Sequence, residues 1–186
     1  ASWDWVQDTV SATSKWGTLG GWDVSRVEDF SWAFSTRRNE VGLSVVDGNP
    51  KAAVFNSGAF ENWKTSSLTS LVGTFLGAST MDANFTGWDV SKVQSLLYTF
   101  TYAAQFKGNG LESWRTTSLN SLQETFKGAS AMNGDLSPWD MSKVTNMASA
   151  FVRAKVFNRN LASWDVRAVI PNTLSGSKFR GMRDMF

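Results

Sequence analysis

Asp82, Glu112 and Asp135 are the acids in loops that could serve a carboxylate-based hydrolase. Glycosidic cleavage needs two carboxyl groups about 5–10 Å apart, held in different environments. Nothing in the sequence marks two of these three as such a pair. The rest of the catalytic inventory is short, because the chain contains no His and no Cys. That removes Ser-His-Asp and Cys-His nucleophile systems, thiolate chemistry and most transition-metal sites. Asn133-Gly134-Asp135 is an acidic turn without the length or ligand count of a calcium loop. Asn84-Phe85-Thr86 is a glycosylation sequon for a chain that passes through a eukaryotic secretory route. No catalytic, cofactor-binding or metal-ligating residue is assigned, no cofactor is expected, and a non-enzymatic role is expected.

Charge narrows the partners further. Lys and Arg number 18 against 16 Asp and Glu, a net charge of +2 over 186 residues. So small an excess gives no pull toward nucleic acid. No apolar run approaches the length of a membrane span. The opening Ala1-Ser2-Trp3, without Met, is expected to be a mature terminus from which any targeting segment has been removed.

What the sequence does carry is a repeat. Six of its Trp residues set the frame: Trp22, Trp63, Trp88, Trp114, Trp139 and Trp164, separated by 41, 25, 26, 25 and 25 positions. Five positions after these stand Val27, Leu68, Val93, Leu119, Val144 and Val169. Eight after stand Phe30, Leu71, Leu96, Leu122 and Met147. Twelve after stand Phe34, Phe75, Phe100, Phe126 and Phe151, and fifteen after stand Ala78, Ala103, Ala129 and Ala154. Three before stand Leu19, Phe60, Phe85, Leu111, Leu136 and Leu161. The long first gap is one unit plus an insertion at about 37–51, which holds the turn signal Gly48-Asn49-Pro50. Phe179, Met182 and Phe186 repeat the five, eight and twelve spacing late, after an expected loop from Pro171 to Lys178. Residues 1–21 are expected to form an N-terminal cap, 22–169 the repeats, and 170–186 the loop and helix of a last incomplete unit. Trp63-Lys64-Thr65-Ser66-Ser67-Leu68 resembles Trp114-Arg115-Thr116-Thr117-Ser118-Leu119, and Trp88-Asp89-Val90 resembles Trp139-Asp140-Met141, so a two-unit block has been duplicated.

Positions five, eight, twelve and fifteen after Trp follow i, i+3, i+7 and i+10, one face of an α-helix. Ser25 with Glu28 and Ser91 with Gln94 fit capping boxes, and Gly77 and Gly128 fit helix stops. The segment around Leu136, Trp139 and Met141 is too short for a helix and reads as a strand. The expected fold is an α/β repeat, a right-handed solenoid with one short strand plus one helix per roughly 25-residue unit. The Trp residues are expected to form a buried row on successive strands. The residue after each Trp runs Asp23, Lys64, Asp89, Arg115, Asp140, Asp165, which reads as a cross-strand charge ladder broken only where Asp140 meets Asp165.

The strings Leu136-Ser-Pro-Trp-Asp-Met-Ser-Lys-Val-Thr-Asn-Met and Phe157-Asn-Arg-Asn-Leu-Ala-Ser-Trp-Asp-Val resemble the roughly 26-residue repeat of bacterial surface proteins and lipoproteins, related to the BspA-like leucine-rich repeats. The resemblance covers about residues 16–186. It implies a leucine-rich-repeat-like solenoid, export, and adhesion or protein binding, with no catalytic residues to transfer. Lys64 and Arg115 depart from it, standing where the family usually has Asp.

The expected function is therefore a non-catalytic protein-binding or assembly module of an exported or surface protein. An alternative is an extrinsic structural subunit of a membrane-associated complex, such as one facing a thylakoid lumen. A lesser alternative is a glycoside hydrolase or carbohydrate-binding module. The expected partner is another protein or a macromolecular assembly. Trp32, Tyr98 and Tyr102 fall on the outward helix face, where aromatic residues anchor interfaces, and Arg37 and Arg38 open the insertion beside them.

Overall fold

In a computed structural model, which describes residues 1–56, 60–169 and 185–186, the repeats form a stack of layers built almost wholly from turns. The expected α/β solenoid of strand-plus-helix units is not found. Among the described residues the only α-helices are α1 (Ser2–Gln7) and α2 (Thr9–Trp16), both ahead of the first repeat. Three short 3₁₀ segments cover Leu19–Gly21, Pro50–Val54 and Leu111–Ser113. No helix among the described residues is long and apolar enough to cross a membrane. Successive layers meet through single parallel bridges, Asp29 to Ser70, Ser70 to Ser95, Ser95 to Ser121 and Ser121 to Asn146, with no sheet around them.

The backbone accounting explains how a chain can bury this much apolar surface without helices or sheets. In the layer of Phe75, the amides of Thr74, Leu76 and Ala78 donate to the carbonyls of Leu71, Gly73 and Phe75, closing overlapping turns that start every second residue. The amides between them, on Gly73, Phe75 and Gly77, donate to Leu97, Thr99 and Thr101 of the next layer at 2.8, 2.9 and 2.7 Å. The free carbonyls of Val72, Thr74 and Leu76 accept from Trp32, Phe34 and Thr36 of the layer before. Every amide from Gly73 to Ala78 and every carbonyl from Leu71 to Leu76 thus has a partner, the condition for burying them.

This ribbon places positions eight, twelve and fifteen inward just as a helix would, so the apolar spacing does not separate the two. What separates them is φ. The residues ten and fourteen after Trp are left-handed in layer after layer: Trp32 (63°), Gly73 (59°), Tyr98 (59°), Glu124 (52°) and Ser149 (56°) at ten, Gly77 (75°), Tyr102 (58°), Gly128 (71°) and Arg153 (61°) at fourteen. Gly77 and Gly128 are therefore turn glycines and not helix stops. Ser25 and Ser91 cap no helix either. Their amides donate to Asp23 and Asp89, each at 3.0 Å, in side-chain-closed turns.

Two aromatic columns run through the stack. Phe34, Phe75, Phe100, Phe126 and Phe151 stack face to face with centroids 5.5–5.7 Å apart, and Phe186 adds a ring 5.6 Å beyond Phe151. Phe179, Met182, the loop from Pro171 to Lys178 and the helix expected for a last unit lie outside the described residues. The Trp row is real but lies on turns and not on strands. Trp63 and Trp88, and Trp114 and Trp139, stack at 5.9 Å, wider than the ~4.8 Å between strands. Each buried indole also donates to the layer before: Trp63 to Leu19, Trp88 to Phe60, Trp114 to Phe85, Trp139 to Leu111 and Trp164 to Leu136, at 2.8–3.3 Å. Behind the Phe column, the hydroxyls of Thr74, Thr99 and Thr125, fully buried, donate back to Phe30, Leu71 and Leu96.

The residues after Trp do not pair directly, and no ion pair within 4 Å joins them among the described residues. Asp23, Asp89, Asp140 and Asp165 each accept the amide two residues on. Hydrogen bonds from the Ser25, Ser91 and Ser142 side chains first, and from those amides second, hold Asp23, Asp89 and Asp140 below the usual carboxylate value, with weaker pulls from Arg26 and Lys64 on Asp23 and from Lys92 and Arg115 on Asp89. Asp165 opposes the effect on Asp140, while Arg167 brings Asp165 itself down to about 2.

Two outcomes test this architecture. Phe126 is fully buried between two stacked rings, so Phe126→Ala should cost ~3–5 kcal/mol in urea unfolding. The depressed Asp groups contribute stability that is complete above their ordinary pKa and is lost as pH falls through the lower folded value. A triple variant, Asp23→Asn, Asp89→Asn and Asp140→Asn, keeps the turn-closing oxygen but not the titration. Its thermal midpoint should fall less than that of the wild type between about pH 4 and pH 2.

Candidate functional site

The left-handed columns build the outward surface. A side chain at a left-handed position leans over the next layer, and a Cβ there must find room. Left-handed Trp32 lies over Gly73 and left-handed Tyr102 over Gly128, while Thr36, which is not left-handed, lies over Gly77, and a Cβ on any of these glycines would collide with the side chain above it. The Trp32 and Tyr98 rings meet across the Gly73 layer at 6.5 Å. Trp32 and Tyr98 are half-buried, and Tyr102 is 45% exposed. The tyrosines were expected on the outer face of a helix. They do share one side of the stack, on turns, with the Tyr102 ring over Gly128 and the Tyr98 ring against Trp32. Beside them Glu124 pairs with Lys127 at 2.8 Å, and that hydrogen bond holds the ammonium above its ordinary value.

The insertion leaves the first layer immediately after Thr36. It folds back through an antiparallel bridge between Arg38 and Ser44, with Asn39 closing the turn onto Leu43 through main chain and side chain at 2.9 and 2.8 Å. Asn49 returns it to the stack by donating to the Thr36 carbonyl at 2.8 Å. Its far end docks on the cap, where Gln7 donates to Asn49 and Lys51 to the Gln7 carbonyl. Val41, Leu43 and Val46 stand on this excursion with 71, 63 and 73% of their surface exposed, and Val45 is also exposed. Sequence reasoning passed over these residues. The signal was present as an apolar run, Val41-Gly42-Leu43-Ser44-Val45-Val46, inside a segment that has no layer to pack into.

Arg37 and Arg38 part company. Arg37 accepts Val45 through its carbonyl in the loop, while Arg38 stands in the wall of a cavity at the N-terminal end of the stack, its terminal nitrogens beside Gly42 of the loop. This cavity of about 580 Å³ lies beneath the cap, with Trp22, Val27, Phe30 and Trp63 in its wall beside Arg38 and Asp29. Burial pushes the Arg38 guanidinium below its ordinary value, and its Nε is enclosed without a hydrogen-bond partner.

The acids considered for hydrolysis are arranged differently. Asp82 is ion-paired to Lys107. Glu112 and Asp135 face the same polar groove of about 630 Å³, with Arg159 and Lys107 in its wall. The Ser137 amide and hydroxyl hold Asp135 below the usual carboxylate value, the opposite of what a proton donor at neutral pH needs. Among the described residues no three carboxylates gather to hold a metal ion.

Replacing Gly73 isolates the packing in this surface. Gly73→Ala should destabilise by more than the roughly 1–2 kcal/mol of a left-handed backbone alone, because the new methyl meets Trp32. Trp32→Ala in the same chain should recover the collision but not the backbone share, visible as non-additivity in a double-mutant cycle. Additive losses would place Trp32 elsewhere.

Comparison with known proteins gives one family. The family described as Mycoplasma protein of unknown function, DUF285, matches residues 48–110 and 71–186. No curated protein and no solved structure matches the chain.

Proposed function

The chain belongs to the DUF285 family, whose function is unknown, and on that premise we propose that it is a non-catalytic module that binds another protein through the insertion and the aromatic side of the stack. One observation carries this reading. Val41, Leu43 and Val46 are held in water on a folded excursion that returns to the stack by hydrogen bonds and contributes nothing to the core. Apolar side chains concentrated in this way mark an interaction surface. Tyr102, exposed on the same column as Thr36, from which the insertion departs, extends the surface along the stack.

The core supports the same reading from the other direction. Inward positions repeat in every layer, so differences between layers fall on the outside. The Trp-Asp-Val-Ser-Lys-Val string and its resemblance to BspA-like surface repeats support an exported setting, on a cell surface or in an organelle lumen.

The test uses the native source. Cross-linking mass spectrometry there should join Lys51, which is exposed at the base of the insertion, to a residue of a second protein. A Val41→Asp, Val46→Asp variant should keep its thermal midpoint within a few degrees and lose those cross-links. Retention of the partner at full yield by the folded variant would move the interface away from the insertion.

A further inference from the structure

A buried guanidinium edge without a partner is costly, since Arg stays charged and its N–H groups lose water. Arg38 pays that cost at the N-terminal end of the stack. Its Nε is fully enclosed and unpartnered, and it stands in the wall of the cavity beneath α1 and α2, which Ala1 also lines. The acids nearby are already engaged. Asp29 accepts the Ser31 amide at 2.7 Å and Asp23 accepts the Ser25 amide at 3.0 Å. Neither forms an ion pair with Arg38. The rest of the wall combines Ser2 and Ser31 with apolar side chains, among them Trp16, Trp22, Phe30, Phe34 and Trp63. Trp22 stacks on Trp63 at 6.2 Å, and Phe30 is tilted against Trp63 at 5.3 Å. About 580 Å³ falls within the size range of small-molecule sites, and a few placed polar groups in an apolar wall is their usual composition.

We propose that this cavity is a binding site for a small carboxylic acid with a flat apolar body, the body lying against Trp22, Phe30 and Trp63 and the carboxylate meeting Arg38. A guanidinium offers its N–H groups as a fork that matches a carboxylate in two parallel hydrogen bonds. The position in the fold gives the site its form. Inner layers are covered on both sides by layers of like shape. The first layer is covered by two short helices that do not reproduce the shape of a layer, so Trp22 and Val27 stay partly open. Arg38 comes from the root of the insertion, so an occupied cavity would also fix that root in place. The proposal is independent of the protein-binding surface above.

Three probes share one body: naphthalene-2-carboxylate, naphthalene-2-carboxamide and 2-naphthylmethylammonium. Calorimetric titration of the full chain should show the carboxylate binding about tenfold or more tighter than the other two. Arg38→Met should bring the carboxylate down to the affinity of the amide, and Arg38→Lys, which keeps charge but not the fork, should fall between. Val27→Trp, which fills the cavity, should abolish binding of all three without lowering the thermal midpoint. No carboxylate binding at millimolar concentration, or equal binding by Arg38→Met, would overturn the proposal. Preference for the ammonium would overturn it as well, since Asp29 would then organise the site. Should Val27→Trp unfold, Ala33→Leu, from the same wall, serves as the filling variant.

Discussion

The bond from each buried indole N–H to a carbonyl in the layer before is the constraint on which the stack rests. The Phe60 carbonyl accepts twice, from the Trp63 amide at 3.1 Å and from the Trp88 indole at 2.9 Å, and the Leu111 carbonyl does the same for Trp114 and Trp139. One acceptor therefore closes the corner of its own layer and fixes the height of the next. Among the side chains only Trp has both a ring large enough to fill the space between layers and an N–H at its rim to reach that carbonyl. Phe could fill the column but would leave a lone pair unmet. Tyr would bring a hydroxyl that also needs a donor-side partner. The recurrence of Trp every 25 or 26 residues is thus a hydrogen-bonding requirement as much as an apolar one.

This explains what could be read from the residues alone and what could not. The columns of Trp, Phe and Ala were legible because burial recurs with the layer, whatever the layer is made of. The local conformation was not. A helix and a ribbon of overlapping turns both turn positions eight, twelve and fifteen inward, and the ribbon meets half of its hydrogen bonds outside the layer, where a single unit cannot reveal them. The glycines at ten and fourteen held the information. Gly73, Gly77 and Gly128 look like breaks in a helix until Tyr98, Tyr102 and Glu124 are seen to occupy the same left-handed positions. The surface divided in the same way. Outward residues such as Trp32 and Tyr102 were legible by phase, but their contact with glycines one layer on depends on the register between layers. The cavity was illegible, because it depends on how α1 and α2 dock and not on any periodic feature.

A stack of this kind also localises its irregularities. Each layer answers only to its neighbours, so an insertion or an imperfect cover has little effect two layers away. The insertion leaves after Thr36 and returns at Asn49 without breaking the register, since the Thr36 amide still reaches the Leu76 carbonyl at 2.9 Å. Features without a structural duty therefore collect in the first layer and its cap, where the unpartnered Arg38, the exposed valines and the cavity are all found.

The alternation of charge after Trp has its cause in the corners and not in pairing. In one kind of layer, Asp89 or Asp140 closes the corner by accepting an amide two residues on, and Lys92 or Lys143 reaches back to the Ser66 or Thr117 carbonyl at 2.9 and 2.8 Å. In the other kind, Thr65 or Thr116, buried, donates forward to the Asp89 or Asp140 carbonyl, and the preceding side chain has no structural duty. That position is free to be Lys64 or Arg115. Each kind of corner thus supplies the bond that the other lacks, and the two kinds alternate from Trp63 to Trp139. Where two corners of the Asp kind follow one another, at Asp140 and Asp165, the like charges face each other. The conflict is met locally: Arg167, two residues after Asp165, pairs with it at 2.6 Å and takes up the excess charge.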